Sequence, residues 1–350
     1  MNGSTVEKAS VVDDVLRDAG FSTSAISEVK GGGIHYGGSL DPSASDKELS
    51  VTLAFHIKIT NLDTAKEIYL NSPLKKEYDP TVESLGMIAV DGGLGSMDDF
   101  SCMKLSNYSK VMNKLYKAAS PGSDLNLSKE EIFMFQQRKE DVEKCLHQVL
   151  LDRYRAYKQY GLKGIQPYAR SSRNNFYPGE ELRAQIEAGW IIPETSSSVK
   201  GLSSSGGQSS SSSSSSSSIF TKYALDYPNN PPQDVEESFF WVTSIIDGIP
   251  TIALIHRMGI PDQISGGYVY MERHFYISRS HNCLQGIGAA MPVCDGGAVV
   301  LYCTRTSTDQ VGGMGGMVKR TIGNKIMANR MKENFERARR VLERTALPPP

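Results

Sequence analysis

Residues 298–344 read AVVLYCTRTSTDQVGGMGGMVKRTIGNKIMANRMKENFERARRVLER, and this stretch decides the fold. Ala298 to Thr306 is rich in Val, Thr and Tyr and reads as a strand, which leads through Gly312-Gly313-Met314-Gly315-Gly316 into a long basic segment. In that segment Met314, Met317, Val318, Ile322, Ile326, Met327, Met331, Phe335, Ala338, Val341 and Leu342 recur mostly three or four residues apart. The spacing predicts one apolar stripe on a helix roughly 45 to 50 Å long, at about 1.5 Å per residue. A helix with such a stripe must cover something apolar, and the strands just before it are the natural partner.

Working outward, Gly267 to Ile277 and Ala298 to Thr306 read as strands, with Cys283 to Ala290 as a shorter one between them. Ser238 to Ile246 and Ile249 to Met258 flank Asp247-Gly248, a pair that suits a two-residue hairpin turn because both central residues need positive φ. Together these runs predict an antiparallel meander. Earlier, Val51, Leu53, Phe55, Ile57 and Ile59 alternate with Thr52, Ala54, His56 and Lys58, the pattern of a strand with one buried face. Asn61 or Thr64 can cap a helix that Pro73 ends, and Ser84 to Val90 reads as another short strand. The sheet expected from this reading has five to seven strands.

The remaining segments are assigned by composition and period. Residues 1–48, broken by Gly31-Gly32-Gly33 and Gly37-Gly38, read as a weakly ordered leader. Residues 107–190 switch to helical spacing and read as an inserted helical subdomain. Within it Ser128 and Glu131 form a capping box, Gly161 stops a helix and Pro178 starts another. Residues 195–218, ending in unbroken serine from Ser209 to Ser218, cannot bury enough apolar surface to offset their conformational entropy and are expected as a disordered surface loop. The main domain then spans 49–344, with a tail at 345–350.

Composition narrows the function classes. The net charge of -1 excludes a generally basic surface of the kind nucleic acid requires, so any charge argument must be local. Five cysteines (Cys102, Cys145, Cys283, Cys294 and Cys303), with no C-x-x-C pair, read as reduced core thiols. No apolar run reaches about 18 residues, and Met1 to Arg17 lacks an apolar signal core, so a soluble cytoplasmic protein is the expectation.

The order strand, short helices, antiparallel meander, long terminal helix resembles that of START-like (helix-grip, SRPBCC-type) proteins. That resemblance implies an α+β fold in which the sheet wraps the last helix and leaves a cavity between them. Several stretches also resemble a family of uncharacterised microbial proteins, many with export signals. They are Arg153 to Ala169 (RYRAYKQYGLKGIQPYA), Pro178 to Leu182 (PGEEL), Tyr227 to Trp241 (YPNNPPQDVEESFFW), Arg273 to Gly288 (RHFYISRSHNCLQGIG) and the final strand with its glycine-bearing helix. The resemblance spans most of 49–344 outside the serine tract and supplies no catalytic residue; the export signal is the feature in which this chain departs.

The glycines at 312–316, with Lys319 close by, invite an anion cradle, but their spacing fits neither G-x-x-x-x-G-K-S/T nor G-x-G-x-x-G, which favours close packing of the helix start or a hinge. The histidines lack H-x-x-x-H or H-E-x-x-H spacing and no cysteine pair accompanies them, so neither a metal nor another cofactor is expected. No G-x-S-x-G elbow supports an esterase. Glu272, His274 and Tyr276 alternate along one strand and by period two share a face; His256, Tyr302 and Arg305 stand on neighbouring strands, with Tyr302 and Arg305 on opposite faces. With Met327 and Met331 from the helix, these residues are the expected ligand contacts. The reading that follows is a noncatalytic START-like binder of a lipid or other apolar small molecule. One alternative is a cavity enzyme of cyclase, isomerase or hydrolase type using Glu272, His274 and Tyr276 or His256 as acid-base groups. Another is a peripheral membrane or interaction protein, in which the basic residues from Lys319 to Arg344 meet an anionic surface; nucleic acid is the less favoured partner.

Overall fold

The structure is a computed structural model that describes residues 3–38, 45–59, 61–63, 66, 75–89, 92–105, 108–137, 141–189, 216–246, 248–262, 265–294, 296–313 and 315–346. In chain order the elements are α1 (Gly3–Asp18), α2 (Thr23–Lys30), β1 (Ile34–Gly38), β2 (Glu48–Ile57), α3 (Lys75–Tyr78) and β3 (Val82–Met87). A helical block follows with α4 (Ser109–Lys117), α5 (Lys129–Gln137) and α6 (Val142–Tyr160), the small pair β4 (Tyr168–Ala169) and β5 (Asn175–Phe176), then α7 (Pro178–Glu187) and α8 (Ser216–Asp226). The chain finishes with β6 (Glu236–Ile246), β7 (Ile249–Asp262), β8 (Gly267–Ile277), β9 (Cys283–Pro292), β10 (Ala298–Ser307) and α9 (Gly316–Ala346).

Eight strands pair in the order β1-β2-β10-β9-β8-β7-β6-β3, every neighbour antiparallel. The expected meander is β6 to β10, and Ile246 opposite Ile249 leaves a two-residue connection at 247–248. β2 joins beyond β10 and β3 beyond β6, so the early strands close both sides of the meander.

The strand beyond the expected number is β1, which lies within the supposed leader. There α1 buries Val12, Val15 and Leu16, spaced three and four apart, and α2 buries Ile26 and Val29. Gly37 is not simply a breaker: a Cβ there would stand 2.6 Å from Phe21 Cε2, so the glycine lets the Phe21 ring lie on the strand. The first 48 residues therefore contribute two helices and an edge strand to the sheet and its core.

Both faces of the sheet are covered. On one, α1, α2 and α4–α8 share a single apolar core with Trp241, Leu254, Met258, Met271 and Leu301. On the other, Met327, Ala328, Met331 and Phe335 of α9 pack on Val51, Leu53, Phe55, Val300 and Tyr302. Because layers press from both sides, β2 is buried along its whole length and not on one face alone. The helical block packs on the face that α9 does not use. The fold is thus α+β and helix-grip-like, with extra helices layered behind the sheet.

Caps follow the residues that announced them. Ser128 N donates to Glu131 Oε2 (2.7 Å) and Glu131 N to Ser128 Oγ (3.2 Å), closing the capping box of α5. The serine tract, expected disordered over 195–218, lies outside the described residues as far as 215, and 216–226 belong to α8. The helix expected to end at Pro73 also lies mostly outside them, as does the end of the tail at 347–350. The glycine-rich start of α9 offers no open anion cradle at Gly313, whose amide donates to Asp46 Oδ2 at 3.1 Å. Among the described residues no helix is long and apolar enough to cross a membrane.

The single stripe read along α9 divides in two. Met327, Met331, Phe335, Ala338, Val341 and Leu342 turn toward the sheet, whereas Met317, Val318, Ile322 and Ile326 are more than half exposed, at 75%, 64%, 55% and 51%. Ile326 and Met327 are adjacent and about 100° apart around the helix, so the apolar positions up to Ile326 and those from Met327 onward lie on different faces.

Candidate functional site

A cavity of about 380 Å³ lies between α9 and the sheet face of β2, β7, β8, β9 and β10. Its apolar wall includes Phe55, Ile57, Tyr268, Tyr270, Val300 and Tyr302 from the strands, and Met327, Met331, Phe335, Val341 and Leu342 from the helix. Along β8 the wall changes character: Tyr268 and Tyr270 are followed by Glu272 and His274 on the same face, at about 7 Å per pair of residues. The cavity thus grades from aromatic to ionic along one strand.

The aromatic half rests on glycines. Tyr270 and Tyr302 lie nearly parallel, 17° apart with centroids 6.2 Å apart, and Phe335 meets Tyr302 edge-on at 5.2 Å and Phe55 at 5.0 Å. Gly286 and Gly288 of β9 run between the two tyrosine-bearing strands, Gly288 facing Tyr270 on β8 and Tyr302 on β10. A Cβ on Gly288 would come closer than 3.0 Å to Cζ, Oη and Cε2 of Tyr270, and one on Gly286 would collide with Tyr302. Only glycine lets both rings lie flat on the sheet, and the flat rings leave the space above them open. Burial pushes both phenols up, so they stay neutral hydrogen-bonding groups.

The ionic half is built across β7 and β8. Arg257 Nε donates to Glu272 Oε2 at 2.9 Å, and His274 Nε2 lies 2.9 Å from Glu272 Oε1, so one carboxylate is held from both sides. The Arg257 guanidinium also sits over the Phe240 ring, 4.8 Å from its centroid. Lys66 stands at the rim, bonded to Glu236 at 2.7 Å and 5.6 Å from the Tyr268 ring centroid. Arg257 was not singled out by the sequence reading, although its signal was visible: a charge in the apolar run Ile252 to Ile260, one residue from His256 and hence on the opposite face. The Gly286-x-Gly288 spacing within a strand was the second missed signal, since it marks close approach of another group.

Of the expected contacts, Glu272, His274, Tyr302, Met327 and Met331 line the cavity, while His256, Tyr276 and Arg305 do not. Tyr276 leaves because β8 carries a bulge: Leu254 pairs with Tyr276 and Ile255 with His274, so Phe275 is the extra residue and the alternation shifts by one. Tyr276 packs instead under Arg153, 4.2 Å from the ring centroid, on the far face. Arg305 pairs with Glu48 on that same face and donates to Gly189 O at 3.2 Å.

His256 also belongs to the far face, in a buried chain of hydrogen bonds. Arg273 Nη1 donates to Tyr157 Oη (3.0 Å), Tyr157 Oη donates to His256 Nδ1 (3.0 Å), and His256 Nε2 donates to Glu237 Oε2 (3.2 Å), with Lys158 Nζ on Glu237 Oε1 (2.7 Å). From Arg273 to Glu237 the bonds all point the same way when the imidazole is neutral with its proton on Nε2. Burial supplies that condition by pushing the His256 pKa down to about 4, against the pull of Glu237. Burial pushes the Glu237 carboxyl up, but the His256 bond and the Lys158 ammonium outweigh it and hold the group at about 2.

This chain makes stability pH-dependent. An unfolded imidazole titrates near its ordinary 6.5 and the folded one near 4, so between those values the unfolded state binds more protons and acid favours it. The contribution is complete above about pH 6.5 and declines by roughly 3 kcal/mol as pH falls toward 4. Guanidinium unfolding of the wild type and of His256→Gln through that range should show a steeper acid loss for the wild type; equal slopes would remove His256 as its source.

No protein-family model matches the chain, and no curated protein sequence matches it. Among solved structures, the crystal structure of Ara h 8.0201 aligns with a TM-score of 0.17 and 13% identity, over 29% of this chain and 65% of that one. The chain thus spans just under two thirds of that protein. At so low a score the likeness adds nothing to the strand order and helix placement, which define the helix-grip-like arrangement by themselves.

Proposed function

We propose that the protein binds an apolar small molecule or lipid in the cavity under α9, with the apolar body on the Tyr270–Tyr302 shelf and a polar end toward Arg257, Glu272 and His274. The supporting observation is the cavity itself: about 380 Å³, walled mostly by aromatic and aliphatic side chains, with a small convergent ionic group at one side. Small-molecule sites are commonly built in this way, apolar contacts supplying affinity and a few polar groups supplying orientation. The cavity also has an inexpensive alternative that the chain does not use, since larger residues at Gly286 and Gly288 would drive the tyrosines into it.

The second reading is acid-base catalysis at the same place. It is favoured by one contact, the 2.9 Å approach of His274 Nε2 to Glu272 Oε1 at the cavity wall, in which the carboxylate can orient the imidazole and balance its charge. Tyr276 and His256 take no part in it, being on the far face.

One experiment separates the outcomes. Native mass spectrometry of the purified protein should show a retained small molecule, or uptake from a panel of fatty acids and ring-containing lipids, that denaturation releases. Apo protein that takes up nothing from the panel would overturn the binding reading. Ligand recovered unchanged after long incubation supports binding alone; recovered product, lost in Glu272→Gln, supports catalysis.

A further inference from the structure

The outward face of α9 carries a feature that the cavity does not explain. Val318, Ile322 and Ile326 stand four residues apart, drifting about 40° per step, and form an exposed apolar row over the first third of the helix. On both sides of the row are the exposed cations Lys319 and Lys325, followed by Arg330 and Lys332. Placed at about 100° per residue, Lys319 and Lys325 fall some 60° to either side of Ile322. From Gly312 to Lys332 the sequence contains no aspartate or glutamate.

From this juxtaposition we propose that the outward face of α9 docks on an anionic lipid bilayer, the apolar row entering the headgroup boundary and the flanking lysines meeting lipid phosphates and carboxylates. The proposal goes beyond ligand binding and does not depend on it. An apolar ridge with cations on both flanks and no anions matches the two components of an interfacial helix, apolar insertion and attraction to anionic headgroups. Nucleic acid would use the lysines but leave three apolar side chains in water, so the row favours the bilayer. The same helix forms one wall of the cavity with its other face, and a docked helix would bring that wall to the membrane surface.

The test is co-sedimentation of the full chain with vesicles of phosphatidylcholine alone and of phosphatidylcholine mixed with phosphatidylserine. Binding is expected with the anionic vesicles and should weaken as salt rises. Each lysine near such a surface is worth about fivefold in partition, so Lys319→Gln with Lys325→Gln should lower binding on the order of 25-fold. Ile322→Asp with Ile326→Asp should lower it at least about tenfold by removing the inserting row. These side chains are exposed, so both variants should melt at the wild-type temperature, which checks their folding. Failure to sediment with either vesicle, equal binding to both, or unchanged binding in either variant would overturn the proposal. So would a dimer in lipid-free solution that Ile322→Asp dissociates, because the row would then cover a second copy of the chain. Cavity loading is read by native mass spectrometry without vesicles, so either reading can fail alone.

Discussion

In Gly288→Val, ligand uptake is expected to fall about ten- to a hundredfold while the sheet still forms. A Cβ at position 288 runs into the Tyr270 ring, and valine adds two methyl groups on the same side. The ring cannot retreat into the sheet, because the other face is closed by core residues such as Met271 and Ile287. It must swing up into the cavity, where overpacking costs about 1 to 3 kcal/mol against any occupant, which is the stated range in affinity. Valine favours strand conformation over glycine, which offsets part of the cost in the free protein. Adding Tyr270→Ala to Gly288→Val removes the displaced ring and should recover most of the uptake, although without the aromatic contact. Titration with a retained lipid, followed by native mass spectrometry or fluorescence displacement, checks both variants. Unchanged affinity in Gly288→Val would place the ligand elsewhere.

The terminal helix, the meander and the capping box were legible because each rests on a local rule: helical spacing, period-two alternation, or a paired Ser128 and Glu131. Register beyond the local pair was not. β1 was hidden because a short glycine-bearing edge strand has little pattern of its own, and Gly37 is explained only by the Phe21 ring that lies on it. The two faces of α9 were merged because a row of apolar residues three or four apart does not say where the sheet ends. Ile326 and Met327 are adjacent in sequence, yet one faces solvent and the other the cavity.

The site was legible to the same degree and failed for the same reason. Alternation placed Glu272 and His274 together correctly and then carried the count through Phe275, where the bulge resets it and sends Tyr276 to the far face. A bulge leaves no mark in composition, since Phe275 and Tyr276 are ordinary strand residues. His256 was expected among the ligand contacts. It faces the core, and its neighbour Arg257 reaches the cavity. Residues far apart in sequence converge on the far face: Tyr157, Lys158, Tyr227, Glu237, Arg273 and Gln285 meet there, and Tyr227 packs on the Tyr157 and His256 rings.

That convergence bears on the expected result for Arg273→Leu, a loss of about 3 to 5 kcal/mol in stability with no change in ligand affinity. Arg273 is completely buried and distributes its donors over neutral acceptors: Nε to Gln285 Oε1 at 2.7 Å, Nη1 to Tyr157 Oη at 3.0 Å and Nη2 to Ala224 O at 2.9 Å. Leucine removes all three donors at once and leaves buried acceptors that water cannot reach, each costing about 1 to 3 kcal/mol before relaxation. The cation is also the positive end of the chain that runs through Tyr157 and His256 to Glu237, so Glu237→Gln should lose less in the Arg273→Leu background than in the wild type. Arg273→Lys keeps the charge but not the fork, and is expected to fall between wild type and leucine. It supplies the measurement should the leucine variant fail to fold. Chemical denaturation gives the stabilities, and lipid titration of the folded variants gives the affinity. If affinity drops in Arg273→Lys while Gly288→Val leaves it intact, the buried chain behind the sheet is the functional centre and the cavity under α9 is not.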